Sequence, residues 1–152
     1  MAAIVIEGIK IRKILQEDKE EFLAMSTDFY DSEAVLYNVS QEKHLAAFKE
    51  LMGSSVFIEC FIIESIDGII GYGLINNTYC REAGGPVIWI EEVYVKPAYR
   101  GNGIGEYFLK WLEENSPVAR YRLEVEPENT EVKSLYRKIG YISFPYVQMI
   151  KE

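Results

Sequence analysis

Two groups of residues in the second half of the chain have types and spacing that suit chemistry: the run Arg100-Gly101-Asn102-Gly103-Ile104-Gly105 and the adjacent acids Glu91 and Glu92. The glycine-rich run lies between a β-branched stretch, Val87 to Val95, and a segment with helical periodicity. Its amide N–H groups therefore converge at the positive end of a helix, a geometry that binds phosphates. Glycines let a phosphate approach the backbone, and Arg100 adds charge-assisted hydrogen bonds. A glycine-rich turn that merely starts a helix has the same composition, so the run alone leaves both readings open. Spacing removes two nucleotide motifs. Glu106 stands where a dinucleotide fingerprint needs its third glycine, and Gly105-Glu106-Tyr107 replaces the Gly-Lys-Ser/Thr ending of a P-loop.

The two glutamates alternate across a strand, so they face opposite sides unless a bulge intervenes. Strand parity groups Trp89, Glu91, Val93 and Val95 on one face and Ile90, Glu92 and Tyr94 on the other. Two solvated or ion-paired carboxylates would look the same in sequence. Other catalytic constellations are missing. His44 is the single histidine, beside Leu45 on a predicted helix, which leaves neither a Ser-His-Asp triad nor a zinc site, and we assign it no role. Cys60 and Cys80 belong to no CxxC pair or metal cluster, as in a protein of a reducing cytosol.

The elements that must position these groups are legible in the hydrophobic pattern. Ile9, Ile11 and Ile14 alternate with basic residues as an opening strand. Residues 16–30 carry Phe22, Leu23, Met25 and Phe29 in helical spacing. Ser40 caps a second helix running to Met52, with Leu45, Phe48, Leu51 and Met52 inward and Gly53 as its stop. Val56 to Ser65 and Ile69 to Asn77 pair as strands around Ile66-Asp67-Gly68. After the break at residues 83–86, Val87 to Val95 forms a further strand. Ile104, Tyr107, Phe108, Trp111 and Leu112 then mark a helix over 103–114. Tyr121 to Glu126 is another strand, and Val132, Leu135, Tyr136 and Ile139 form a short helix ending at Gly140. Tyr141 to Ile150 supplies one or two final strands around Pro145.

The 152 residues fit a single domain spanning 1–152, and 49% apolar with 26% charged residues excludes a disordered or fibrous chain. A net charge of −8 opposes nucleic acid and anionic membranes. No segment reaches the roughly 18 uninterrupted apolar residues of a membrane span, so we expect a soluble, untargeted, cytoplasmic protein. The charge is uneven: residues 16–42 hold eight acids against Lys19 alone, whereas residues 87–152 hold ten acids and nine bases. A cationic ligand is drawn to the first region.

The stretch from Ile90 to Gly105, Ile-Glu-Glu-Val-Tyr-Val-Lys-Pro-Ala-Tyr-Arg-Gly-Asn-Gly-Ile-Gly, resembles the acetyl-coenzyme A segment of GNAT superfamily N-acetyltransferases, with a complete Arg-x-x-Gly-x-Gly match. Glu126-Pro127-Glu128-Asn129, Tyr136 and Gly140-Tyr141 extend the likeness, and the β-α-α-β-β-β-α-β-α-β order carries it over nearly the whole chain. The resemblance implies an α/β GNAT fold: a mixed central sheet flanked by helices and splayed near Val95. It also implies acetyl-CoA as co-substrate, no metal, and acetyl transfer to a primary amine by direct attack in a ternary complex. By the same resemblance, the backbone of Val93 and Val95 pairs with pantetheine. Arg100, Gly101, Asn102, Gly103, Ile104 and Gly105 hold the pyrophosphate, and Asn129 touches pantetheine or simply caps its helix.

An alkylamine of pKa near 10.4 is neutral in only about one molecule in 2,500 at pH 7, so this chemistry needs a base. Polyamine-type members favour the first acid of the pair, Glu91, over Glu92. Tyr136 aligns with the family's general acid, and a phenol of pKa near 10 can protonate a thiolate of pKa near 8.5. Tyr136 also lies on the apolar stripe of its helix, where core packing is the other reading. The acidic region contains Asp28, Tyr30, Asp31 and Glu33, and Tyr37, where the family builds its acceptor site. The expected partner is a cationic small-molecule amine (polyamine, diamine or aminoglycoside-like) or a peptide amine, and a homodimer is compatible with the sequence. A protein or peptide N-acetyltransferase and a non-catalytic acyl-CoA sensor are the alternatives.

Overall fold

The computed structural model of the chain describes residues 7–32 and 34–152. Five strands form one mixed sheet in the order β1 (Lys10–Lys13), β2 (Ile58–Ser65), β3 (Gly68–Cys80), β4 (Gly85–Val95), β5 (Arg120–Leu123). The first four strands are antiparallel and β5 runs parallel to β4. Helices α1 (Lys19–Tyr30) and α2 (Gln41–Met52) connect β1 to β2, α3 (Ile104–Asn115) crosses from β4 to β5, and α4 (Thr130–Lys138) follows β5.

Alternation along β2 divides the molecule into two cores. Phe61 and Ile63 pack with Ile104, Phe108, Leu109 and Leu112 of α3, with Tyr136 of α4 and the Ile139 that follows it against them. Cys60 and Ile62 pack on the other face with Phe22 and Met25 of α1 and Phe48 of α2. The predicted β2–β3 hairpin is present, with Ser65 paired to Gly68 across Ile66-Asp67. Gly73 lets α3 approach: a Cβ there would lie 2.1 Å from the Phe108 ring. This close seat fixes α3, and with it the loop that precedes it.

The sheet splits at the end of the β4–β5 pairing. Pairing between β4 and β5 runs only from Val87↔Arg120 to Ile90↔Leu123, after which the strands part. On the β3 side, Leu74 pairs with Glu92 and Ile75 with Ile90, leaving Glu91 as the extra residue of a bulge. A bulge bends its strand, which accounts for the parting at this point. The bulge also corrects simple strand parity. Ile90 joins Val93 and Val95 on the α3 face, while Tyr94 belongs to the core of the α1/α2 face.

Other expectations change for identifiable reasons. Leu45 is 42% exposed, and the inward position one turn before Phe48 belongs to His44, which is 3% exposed. Tyr107 and Leu135 are also exposed, with Leu109 taking an inward position on α3. The last strand of the expected order is absent among the described residues: 141–150 carries no strand. Ile142, Val147, Met149 and Ile150 remain exposed, so no burial repays extending this segment, and Pro145 offers no N–H to a ladder.

Candidate active site

Lys96 N–H donates to the Ile70 carbonyl at 2.8 Å, which directs the backbone groups of even-numbered residues at this end of β4 toward β3. Those of Val93 and Val95 therefore face the opening beside β5. Both side chains are half-buried against the α3 core. Beyond them, the Pro97–Tyr99 turn leads into the glycine-rich loop.

Gly101 and Gly103 have φ of +79° and +76°, and nothing lies within 4 Å of a Cβ built at either position. These are left-handed conformations with free space before them, the form of a cradle for an anion at the start of α3. Ile104 is buried in the core and offers only its backbone to such a ligand. Gly105 lies over Val93, whose Cγ1 would be 3.8 Å from a Cβ there. Asn102 turns inward: its Nδ2 donates to the carbonyls of Tyr99 at 3.0 Å and Arg100 at 3.1 Å, bracing the loop. Arg100 turns back over β4. Its Nε donates to the Val95 carbonyl at 2.7 Å, a terminal nitrogen lies 3.6 Å from Asp28 Oδ2, and the guanidinium covers the Tyr94 ring at 5.4 Å. The residues fit a pantetheine-diphosphate ligand, provided that Arg100 exchanges the Val95 carbonyl for it.

The two glutamates stand at the apex of the opening in different surroundings. Glu91 reaches solvent on the bulge and accepts from Asn76 Nδ2 at 2.8 Å. Partial desolvation, then repulsion from Glu124 just past β5, raises its pKa. Glu92 is 7% exposed; Tyr72 donates to its Oε1 at 2.5 Å and Tyr30 to its Oε2 at 3.1 Å. Burial pushes its pKa up to about 7, against the pull of both hydroxyls.

Tyr136 packs on the core face shared with Val93 and Val95, edge-on to Tyr141 at 5.7 Å. Burial raises the pKa of its hydroxyl, so it remains a proton donor at neutral pH. Asn129 caps α4, with Oδ1 accepting from Val132 N–H at 3.3 Å.

The acidic region is less free than its charge count suggests. Arg12 clamps Asp18 at 2.7 Å, Lys96 pairs with Glu21, and Asp28 receives the Tyr94 hydroxyl at 2.7 Å as well as Arg100. Tyr30 lies over Glu92 and Asp31 is exposed at the end of α1, whereas Glu33 lies outside the described residues. Sequence reasoning missed Tyr72, Ser26 and His44, which stand behind Glu92. Their only sequence signal is polarity at positions that helical or strand spacing turns inward. Among the described residues, no cluster of His, Cys, Asp or Glu could hold a metal, and no helix is long and apolar enough to cross a membrane.

The β4–β5 pair thus parts beside a bulged acid and a glycine-rich loop that opens the next helix. The match to the Acetyltransferase (GNAT) family covers residues 11–141, and the chain belongs to that family and is an N-acetyltransferase. It is 29% identical over 143 residues to mouse (Mus musculus) thialysine N-epsilon-acetyltransferase, covering 86% of this chain and 82% of the relative. The pig (Sus scrofa) protein of the same name is 28% identical over 145 residues, covering 88% and 84%. Among solved structures, a possible acetyltransferase from Clostridium difficile 630 superposes with a TM-score of 0.81 at 19% identity, over 95% of this chain and 97% of that one. An aminoglycoside N-acetyltransferase in complex with CoA gives 0.76 at 18% identity, over 98% and 99%. These likenesses are of fold.

Proposed function

We propose that this protein transfers the acetyl group of acetyl-CoA to a primary amine of a small cationic molecule, by direct attack within a ternary complex. The observation that carries this reading is the opening past Ile90↔Leu123. Unpaired backbone of Val93 and Val95 and the Arg100–Gly105 loop line one side of it, and Glu91 stands at its apex. The names of the mouse and pig relatives, which specify an amino-group acceptor on a small molecule, support the acceptor class.

The backbone of Val93 and Val95 pairs with the pantetheine arm, and the loop amides with Arg100 hold the diphosphate. Acetyl-CoA, when bound, supplies the activated acyl group. Glu91 is the base, because its carboxylate reaches solvent at the apex, whereas both oxygens of Glu92 already accept tyrosine hydroxyls in the interior. Its raised pKa brings it closer to the working pH and improves it as a proton acceptor. Tyr136, on the Val93 side, delivers a proton to the departing sulfur. The tyrosine and the carboxylate thus approach the reaction from different sides of the β4–β5 opening.

The test is an amine panel with free thiol as readout, run on wild type and Glu91→Gln. Turnover is expected with di- and polyamines or lysine-like amines, and the rising limb of the pH profile should move upward in the variant. Coenzyme binding without turnover on any amine would instead identify an acyl-CoA sensor.

A further inference from the structure

Residues 139–150 form an unbroken run without a charged side chain, in a protein that is 26% charged. Tyr, Phe and Met are prominent in it, the composition of an interface core rather than of a solvated surface. Yet the run is largely in water. Ile142, Val147, Met149 and Ile150 stand at 81–92% of full exposure, and Phe144 and Tyr146 are exposed as well. Together these six residues present roughly 800 Å² to solvent, the share of one partner in a standard-size interface.

The start of this segment is fixed to its own chain. Tyr141 packs on Tyr136 beside the α3 core. The guanidinium groups of Arg120 and Arg122 each lie over the Phe144 ring at 5.0 Å, and Tyr146 meets that ring edge-on at 4.8 Å. The Tyr146 hydroxyl donates to Glu82 Oε2 at 3.0 Å, and Arg120, the first residue of β5, donates to Oε1 of the same carboxylate at 3.2 Å. By Tyr146 the segment has therefore reached the start of β5, beside the turn that joins β3 to β4. Val147, Met149 and Ile150 continue past this anchor and belong to neither core among the described residues.

β5 has the complementary need. It is the last strand of the sheet, with β4 as its one neighbour among the described residues, so its outer edge is a template for another strand. We propose that two copies of this chain associate about a two-fold axis, residues 147–150 of each adding as a strand to the outer edge of β5 in the other. Each copy supplies one strand and one edge, so the contact is self-complementary and closes at two. A foreign strand would fill the edge and leave the apolar segment bare, whereas a second copy satisfies both at once. Pro145 has no N–H to donate, so the ladder begins after it. In the extended form Val147 and Met149 share one face of the added strand. The association requires neither coenzyme nor acceptor.

The test combines sedimentation at micromolar concentrations with hydrogen exchange followed by mass spectrometry. Wild type should sediment at twice the mass of the chain, with slow exchange in both 146–150 and 120–123. Val147→Glu combined with Met149→Glu changes two side chains that the single chain leaves in water, so its fold does not depend on them. This variant should associate about a hundredfold or more less tightly, the scale of two lost anchor residues. Its exchange should become fast in both segments. A wild-type protein that stays monomeric would overturn the proposal, even with 146–150 protected, because the segment would then be covered by its own chain. A dimer that survives the double substitution would overturn it too. So would protection confined to 146–150, which would place the segment on a surface other than β5.

Discussion

Arg100 Nε donates to the Val95 carbonyl at 2.7 Å, so the loop arginine occupies the backbone acceptor at the end of β4. In the proposed function, coenzyme binding breaks this bond and redirects the guanidinium to phosphate. Arg100→Ala should weaken CoA binding by about tenfold or more, the scale of one lost charge-assisted hydrogen bond, while Arg100→Lys keeps much of the affinity. Calorimetric titration with CoA measures both; equal affinities for wild type and alanine would remove Arg100 from the phosphate site.

Gly103 begins α3 at φ +76°, where a β-branched residue is strained by about 1–2 kcal/mol. Gly103→Val should therefore melt earlier without ligand. The informative quantity is the increase in thermal midpoint on adding acetyl-CoA, which should largely disappear in the variant. A full increase would show that the phosphates bind elsewhere.

Tyr136 packs with the α3 core, and burial raises the pKa of its hydroxyl. Tyr136→Phe should keep fold and coenzyme affinity and lower turnover by roughly ten- to a thousandfold. Wild-type turnover would return this side chain to core packing.

The native pKa of Glu92 lies above its ordinary value of 4.5, at about 7, so the folded state binds a proton that the unfolded chain has released. The resulting stability is fully present below about pH 4.5 and is lost as pH rises through 7, with a slope of at most about 1.4 kcal/mol per pH unit. Urea unfolding from pH 4 to 8 should show this decline in wild type and a flatter course in Glu92→Gln. Parallel curves would mean that the carboxyl is solvated in the folded protein.

Asp28 binds the Tyr94 hydroxyl and Arg100, and Asp31 is exposed at the end of the same helix. If Arg100 turns to phosphate, Asp28 is released to meet a cationic acceptor. Neutralising Asp28, Asp31 and Glu33 together should raise KM for a diamine more than for a monoamine. Added salt should weaken acceptor affinity with little change in maximal turnover. Salt-independent kinetics with a neutral acceptor would leave the acidic segment a solvated surface.

Local patterns determined most of the elements of this protein and the place of its glycine-rich loop. Alternation around Ile66-Asp67-Gly68 fixed a hairpin, and the spacing of Ile104, Phe108 and Leu112 fixed α3. The glycines at 101 and 103 marked a loop whose backbone an anion can approach. These features depend on neighbours in sequence, which is why they were legible.

Only the tertiary structure decided which carboxyl meets solvent and which lies buried, because the bulge at Glu91 resets the parity of β4 through register with β3. Helical periodicity alone could not choose between His44 and Leu45 for the inward position. That choice rests on Ser26 from another helix, which satisfies the imidazole at 2.6 Å. The closing strand expected over 141–150 failed for the same kind of reason: alternation gives a segment the capacity to pair, but a strand also needs an edge to join and a face to bury. Partners distant in the chain supply hydrogen bonds and desolvation, and no one-dimensional pattern records them.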